Sequence, residues 1–233
     1  MKRIYLILAL FCLGATKGGM MRQQLIPAAS GSDPLLPYLL NETFNTTVGY
    51  DLTWTETAAG GTINEDEVII VGEGAQSLNI ISTGNNDNTR EEFTANDTAY
   101  GHVMFRYASL NGTTDLVHFR SSGGVRLIVR TSGAGALTLL HGSASVAVTD
   151  ALSANTWVHI WFRYTKGTGA DGVAEISWST DTTRPTSGTK YATLSNGTAT
   201  STVNELYLGQ NANETHTIYY DQAFVDEAGF PQP

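Results

Sequence analysis

From Glu42 onward the chain runs in short stretches of alternating apolar and polar residues, separated by clusters of Gly, Asn and Ser. Alternation sends successive side chains to opposite faces of a strand, so each stretch predicts a strand with one buried face. The clearest are 102–108, 116–120, 125–130, 136–140, 146–149, 157–164, 174–179, 205–208 and 216–225. Asn111-Gly112, Ser122-Gly123-Gly124, Gly133-Ala134-Gly135 and Asn196-Gly197 supply the turns. No helical period is sustained in this body, which predicts an all-β fold.

The same alternation sorts residues by face. One set is apolar: Val103, Phe105, Tyr107, Val117, Phe119, Val125, Leu127, Val129, Val158, Ile160, Phe162, Tyr164, Ala174, Ile176 and Trp178. These are the expected core. The opposite set holds His102, Met104, Arg106, His118, Arg120, Arg126, Arg130, Trp157, His159, Trp161, Arg163, Glu175, Ser177 and Ser179. It gathers five of the nine arginines and three of the five histidines of the chain. If these strands share a sheet, the face is basic and partly aromatic. Arginine suits bidentate binding of carboxylate or sulfate, and indole and phenol faces stack on sugar rings. His159, Trp161, Arg163, Arg106, Arg120 and Arg126 are therefore the candidate ligand-binding residues, with Trp161 at least partly exposed. Arginines on a solvated strand face neutralised by acidic residues elsewhere are the plainer alternative.

Ahead of the body, Lys2 and Arg3 precede an apolar run from Ile4 to Ala15. This has the form of a secretory signal peptide, and it is too short to span a bilayer comfortably. Residues 1–18 read either as that signal or as a retained apolar arm that docks into an assembly neighbour. Residues 19–40 show no period and read as a linker, which leaves 41–233 as one β domain. At 233 residues the chain is long enough to bury a core without staples. Its one cysteine, Cys12, excludes an intrachain disulfide. The net charge of −9 argues against general nucleic-acid binding.

The order of several motifs resembles the concanavalin A-like lectin/glucanase superfamily, in its laminin G-like branch. They are Glu42-Thr43-Phe44 with Gly49-Tyr50-Asp51, the run Gly74-Ala75-Gln76-Ser77-Leu78-Asn79-Ile80, Trp157-Val158-His159, Ala174 to Ser179, Leu206-Tyr207-Leu208-Gly209, and Tyr220 to Val225. The resemblance spans about residues 42–227 and implies a jelly roll of two antiparallel sheets with a concave face that often binds carbohydrate. Ser179-Thr180-Asp181-Thr182 stands where the family usually has an Asp-Gly hairpin, so loop details do not transfer. If the terminal strands pair as in the family, Glu42, Asp221 and Asp226 converge, which leaves room for a structural calcium. No cofactor is otherwise expected.

Hydrolase chemistry on this fold uses Glu-x-Asp-x-x-Glu along one strand, which the chain lacks. Glu65-Asp66-Glu67 is contiguous rather than alternating and reads as solvated loop charge. Gly167-Thr168-Gly169-Ala170-Asp171-Gly172 matches a nucleotide-binding spacing, but it joins two strands and reads as a hairpin loop. The expectation is a non-catalytic carbohydrate-binding or adhesive module displayed outside the cell. Its partner would be a glycan of anionic character or an acidic protein surface, with no nucleic acid and no stable membrane span. The alternative is a subunit of a virion or surface assembly, including a homo-oligomer; a glycoside hydrolase ranks below both.

Overall fold

The computed structural model describes residues 38–42, 44, 54–66, 77–122, 124–209 and 214–231. The apolar segment 1–18, most of the linker 19–40, and the motifs Gly49-Tyr50-Asp51 and Gly74-Ala75-Gln76 lie outside the described residues. Among these the chain forms fifteen strands: β1 (Leu40–Glu42), β2 (Thr55–Ala58), β3 (Thr62–Asp66), β4 (Ser77–Thr83), β5 (Asp87–Asn96), β6 (Thr98–Leu110), β7 (Thr114–Ser121), β8 (Gly124–Thr131), β9 (Ala136–His141), β10 (Ala144–Ala151), β11 (Val158–Thr165), β12 (Gly172–Ser179), β13 (Tyr191–Gly197), β14 (Val203–Leu208) and β15 (Thr215–Asp226).

All pairings are antiparallel. The first sheet runs β13-β12-β11-β6-β15-β4-β3, and β1 continues the β4 edge by pairing Leu40 to Glu42 with Val225 to Ala223 of β15. The second sheet runs β10-β9-β8-β7-β14-β5-β2. Successive strands repeatedly change sheets: β5 lies in the second, β6 in the first and β7 in the second again. This is the all-β fold expected from the strand pattern, in the two-sheet jelly-roll form that the resemblance implies.

Two inner faces meet in the core. Val103, Phe105, Tyr107, Val117, Phe119, Leu127, Val129, Val158, Ile160, Phe162, Tyr164, Ala174, Ile176 and Trp178 are all buried there, as alternation requires. Val125 is only half-buried, because the register of β7 and β8 shifts between Phe119 and Arg120, and Val125 pairs beside that irregularity. Phe119 packs on Phe162 across the sandwich at 5.0 Å between ring centroids. That contact depends on Gly101, which pairs with Phe162; a Cβ on Gly101 would stand 2.2 Å from the ring. Tyr220 ties the sheets together by donating its hydroxyl to Leu116 O at 2.6 Å, and burial pushes its pKa up. The Gly167–Gly172 segment is a hairpin loop between β11 and β12, where Asp171 Oδ1 accepts the amides of Thr168 and Gly169 at 2.7 and 3.0 Å.

Candidate functional site

The sandwich presents two outer faces. On the first sheet, His159, Trp161 and Arg163 of β11 do point away from the core, with Met104 opposite His159 and His102 opposite Trp161 in register. The expected exposure is not there. Trp161 is 0% exposed and His102 is fully buried. The reason is the chain after β15: Trp161 donates Nε1 to Pro231 O at 3.3 Å, Phe230 packs edge-on against Tyr100, and Arg184 lies 3.9 Å over the Phe230 ring. From the other side Tyr38 stacks on Phe224 at 5.5 Å. The rings of Trp161, His159, His102, Phe224 and Tyr38 thus follow one another in contact, at centroid spacings from 5.1 to 5.8 Å.

The two histidines add no charge to this face. His102 and His159 share one hydrogen bond, Nε2 to Nδ1 at 2.9 Å. Burial, with the neighbouring His159, pushes His102 down to about 3, and burial likewise lowers His159 against the pull of Asp181. Both rings are neutral at pH 7. Arg163 is held by Glu175 Oε1 at 3.2 Å, and Arg106 gives Nη2 to Asn155 Oδ1 at 2.8 Å and lies over Tyr219. Arg120 and Arg126 are not on this face at all; β7 and β8 belong to the second sheet. The six candidate residues therefore form two groups on opposite outsides of the sandwich.

The second sheet's outer face carries a different constellation. Register places Thr55, Arg90, Tyr207, His118, Ile128 and Leu140 in one row across six adjacent strands, β2 to β9. Strand spacing of about 4.8 Å sets the row's repeat. Arg90 donates Nη1 to Tyr207 Oη at 2.8 Å. That bond holds the Arg90 pKa above its ordinary value. Arg120 stacks on the same phenol ring, its Cζ 4.5 Å from the centroid. Arginine only donates, so the hydroxyl hydrogen of Tyr207 remains available to another acceptor. Arg90 also lines a surface depression of about 210 Å³ with Thr55, Glu91 and Glu92.

Next to Tyr207 stands His118, 3% exposed. Its Nε2 meets Asp115 Oδ2 at 3.1 Å, while Nδ1 is buried without a hydrogen-bond partner. Arg130 grips both Asp115 oxygens, Nε on Oδ1 and Nη2 on Oδ2 at 3.1 Å. Asp115 and His118 are three apart, which in a regular strand would put them on opposite faces. A bulge in β7 resets the phase: two steps from Asp115 to Val117 oppose one step from Arg130 to Val129, so Leu116 and Val117 are both buried. Sequence alternation identifies His118, Arg120 and Arg130 as outward. It misses Arg90, whose strand is a polar run. Tyr207 was legible as the residue between the buried Leu206 and Leu208.

Glu42 is not positioned as a free metal ligand. Its carboxylate accepts Phe44 N at 2.6 Å and Trp54 Nε1 at 3.3 Å. No cluster of three or more metal-ligating side chains occurs among the described residues. Nor, among them, is any helix long and apolar enough to cross a membrane.

No protein-family model and no curated protein sequence matches the chain. Solved structures do. Endo-β-1,4-glucuronan lyase from the fungus Trichoderma reesei superposes with a TM-score of 0.60 at 11% identity, over 82% of this chain and 96% of that one. The marine PL-14 alginate lyase from Aplysia kurodai gives 0.60 at 9%, over 84% and 99%. Cellulose induced protein, Cip1, gives 0.59 at 14%, over 81% and 97%. The likeness is one of fold, a two-sheet jelly-roll β-sandwich; the laminin G-like branch is not confirmed. Two of these neighbours are lyases by name, which runs against the expectation of a non-catalytic binding or adhesive module. The absence of an enzyme was argued from the missing carboxylate pair. That pair is a requirement of hydrolysis, and elimination does not share it.

Proposed function

We propose that the protein is a polysaccharide lyase that cleaves a uronate-bearing polysaccharide by β-elimination on the outer face of the second sheet. The observation that carries this reading is Tyr207 set between the guanidiniums of Arg90 and Arg120, with His118 directly opposite on the next strand. Elimination needs a carbon acid made acidic by a neighbouring carboxylate, a base to take its proton and an acid to protonate the departing oxygen. Arginine forks neutralise a carboxylate and favour the charge that builds on it as the proton leaves. His118 takes the proton from C5, the electron pair forms the C4–C5 double bond, and the C4–O bond breaks. Tyr207 gives its hydroxyl hydrogen to the glycosidic oxygen, which leaves as a hydroxyl of the departing sugar. The step requires the buried Nδ1 of His118 to become accessible when the polymer binds.

Two of the similar structures are, by name, lyases of glucuronan and of alginate, which supports an acidic polysaccharide as substrate. Such polymers lie outside cells, in keeping with the signal-like residues 1–18. The test is incubation with a panel of uronate polysaccharides, following the ultraviolet absorbance of the unsaturated product. We expect activity on at least one of them, and Tyr207→Phe should lower kcat by about 10²–10⁴-fold with unchanged circular dichroism. No absorbance rise on any uronate polymer, or full activity in Tyr207→Phe, would overturn the assignment.

A further inference from the structure

We propose that Asp115 is a positioning residue that fixes the tautomer of His118, putting the hydrogen on Nε2 and leaving the lone pair on Nδ1. The catalytic consequence rests on the lyase reading above; the tautomer itself does not.

The geometry fixes the direction of the bond. An ionised carboxylate only accepts, so the contact at 3.1 Å requires a hydrogen on His118 Nε2. A neutral imidazole has one such hydrogen, and the basic site is then Nδ1. That atom is buried and has no partner in the free protein, so its lone pair is held out of bulk water and engaged by no other group.

Asp115 is prepared for this role from its other side. Arg130 covers both of its oxygens in a fork, the most specific geometry a carboxylate meets in a protein. Burial alone would raise the Asp115 pKa, but the hydrogen bonds and charges of His118 and Arg130 more than offset it and bring it below the ordinary carboxylate value. The carboxylate therefore stays an acceptor and does not compete for the proton that His118 takes. The bulge at Leu116 is what turns Asp115 onto the outer face beside His118.

A merely structural role, tying β7 to β8 through Arg130, is the competing account. Nitrogen-15 spectra of histidine-labelled protein separate the two without any enzyme assay. In the wild type, His118 should show a protonated Nε2 and an unprotonated Nδ1. Asp115→Asn, whose amide can also donate, should mix the tautomers. Its kcat on the uronate substrate should fall by about tenfold or more with KM unchanged, and Asp115→Glu should restore part of the loss. A wild-type His118 protonated on Nδ1, or an Asp115→Asn protein with the tautomer and kcat of the wild type, would overturn the proposal. The wild-type spectrum decides even if the variants fail to fold. If that spectrum is as expected and no uronate polymer is cleaved, the lyase reading fails and the tautomer assignment stands.

Discussion

Trp161 is fully buried yet lies outside the core between the sheets. Its orientation follows from alternation with Ile160 and Phe162, and that much is legible in the sequence. Its burial comes from Phe230 and Pro231, residues with no period that would reveal where they dock. Truncation at this site should therefore act on stability: Trp161→Ala should cost about 3–5 kcal/mol, read from urea unfolding, and leave the activity proposed for the Tyr207 face unchanged. A midpoint within error of the wild type would mean the tail leaves the indole. Gly101 is a second case where one residue decides. Alternation gives no hint that a strand residue must lack a side chain, but a methyl there would press 2.2 Å against Phe162. Gly101→Ala should lower the unfolding midpoint sharply, since neither the paired backbone nor a ring wedged against Phe119 has room to yield.

At the level of elements, strands β6 to β12, β14 and β15 correspond to alternating stretches of sequence. Six strands fall outside those stretches, β1 to β5 and β13; among them are β2, whose four residues are all exposed, and β5, whose Asp-Asn-Thr-Arg-Glu-Glu start is polar throughout. Their polarity hides them, since β2 buries none of its residues and the buried start of β5, Asp87 to Thr89, is polar. Sheet membership was the larger gap. Alternation orders faces within a strand and says nothing about which sheet the next strand joins, so it puts Arg106 of β6 and Arg120 of β7 on one surface, whereas the two strands lie in different sheets. The bulge in β7 was invisible for the same reason, and with it the pairing of Asp115 and His118. The segment after β15 offers the element-scale test. Ending the chain after Gly229 removes Phe230 and the Pro231 carbonyl that caps the Trp161 indole. Tryptophan emission should move to longer wavelength and acrylamide quenching should rise, while the activity proposed for the opposite sheet persists. Unchanged quenching would show that another segment seals this face.

For the whole molecule, the net charge of −9 would oppose the anionic polymer proposed as substrate, while the Arg90–Arg120 surface would attract it. The attraction is local and the repulsion diffuse, yet added salt screens both. Acid stability is the cleaner whole-molecule property, because two buried histidines that the site does not use contribute to it. His216 is 2% exposed, neither ring nitrogen has a partner, and burial pushes its pKa down to about 4 against the pull of Asp87. His102, at about 3, behaves alike. In the unfolded chain both return to about 6.5, so below that pH the unfolded state binds more protons and stability falls. The effect is absent above about pH 7, sets in near 6.5, and levels off for His216 below about pH 4; by pH 5 it amounts to roughly 2 kcal/mol for each group. His216 has a further cost at every pH, since a buried ring with two unpaired nitrogens gives up its hydration for nothing. His216→Leu, of similar volume, should therefore raise the melting temperature at pH 8, and raise it further at pH 5 because the proton-linked loss disappears as well. If the gain were the same at both pH values, His216 would be titrating alike in the folded and unfolded chain, and the acid sensitivity would have to come from elsewhere.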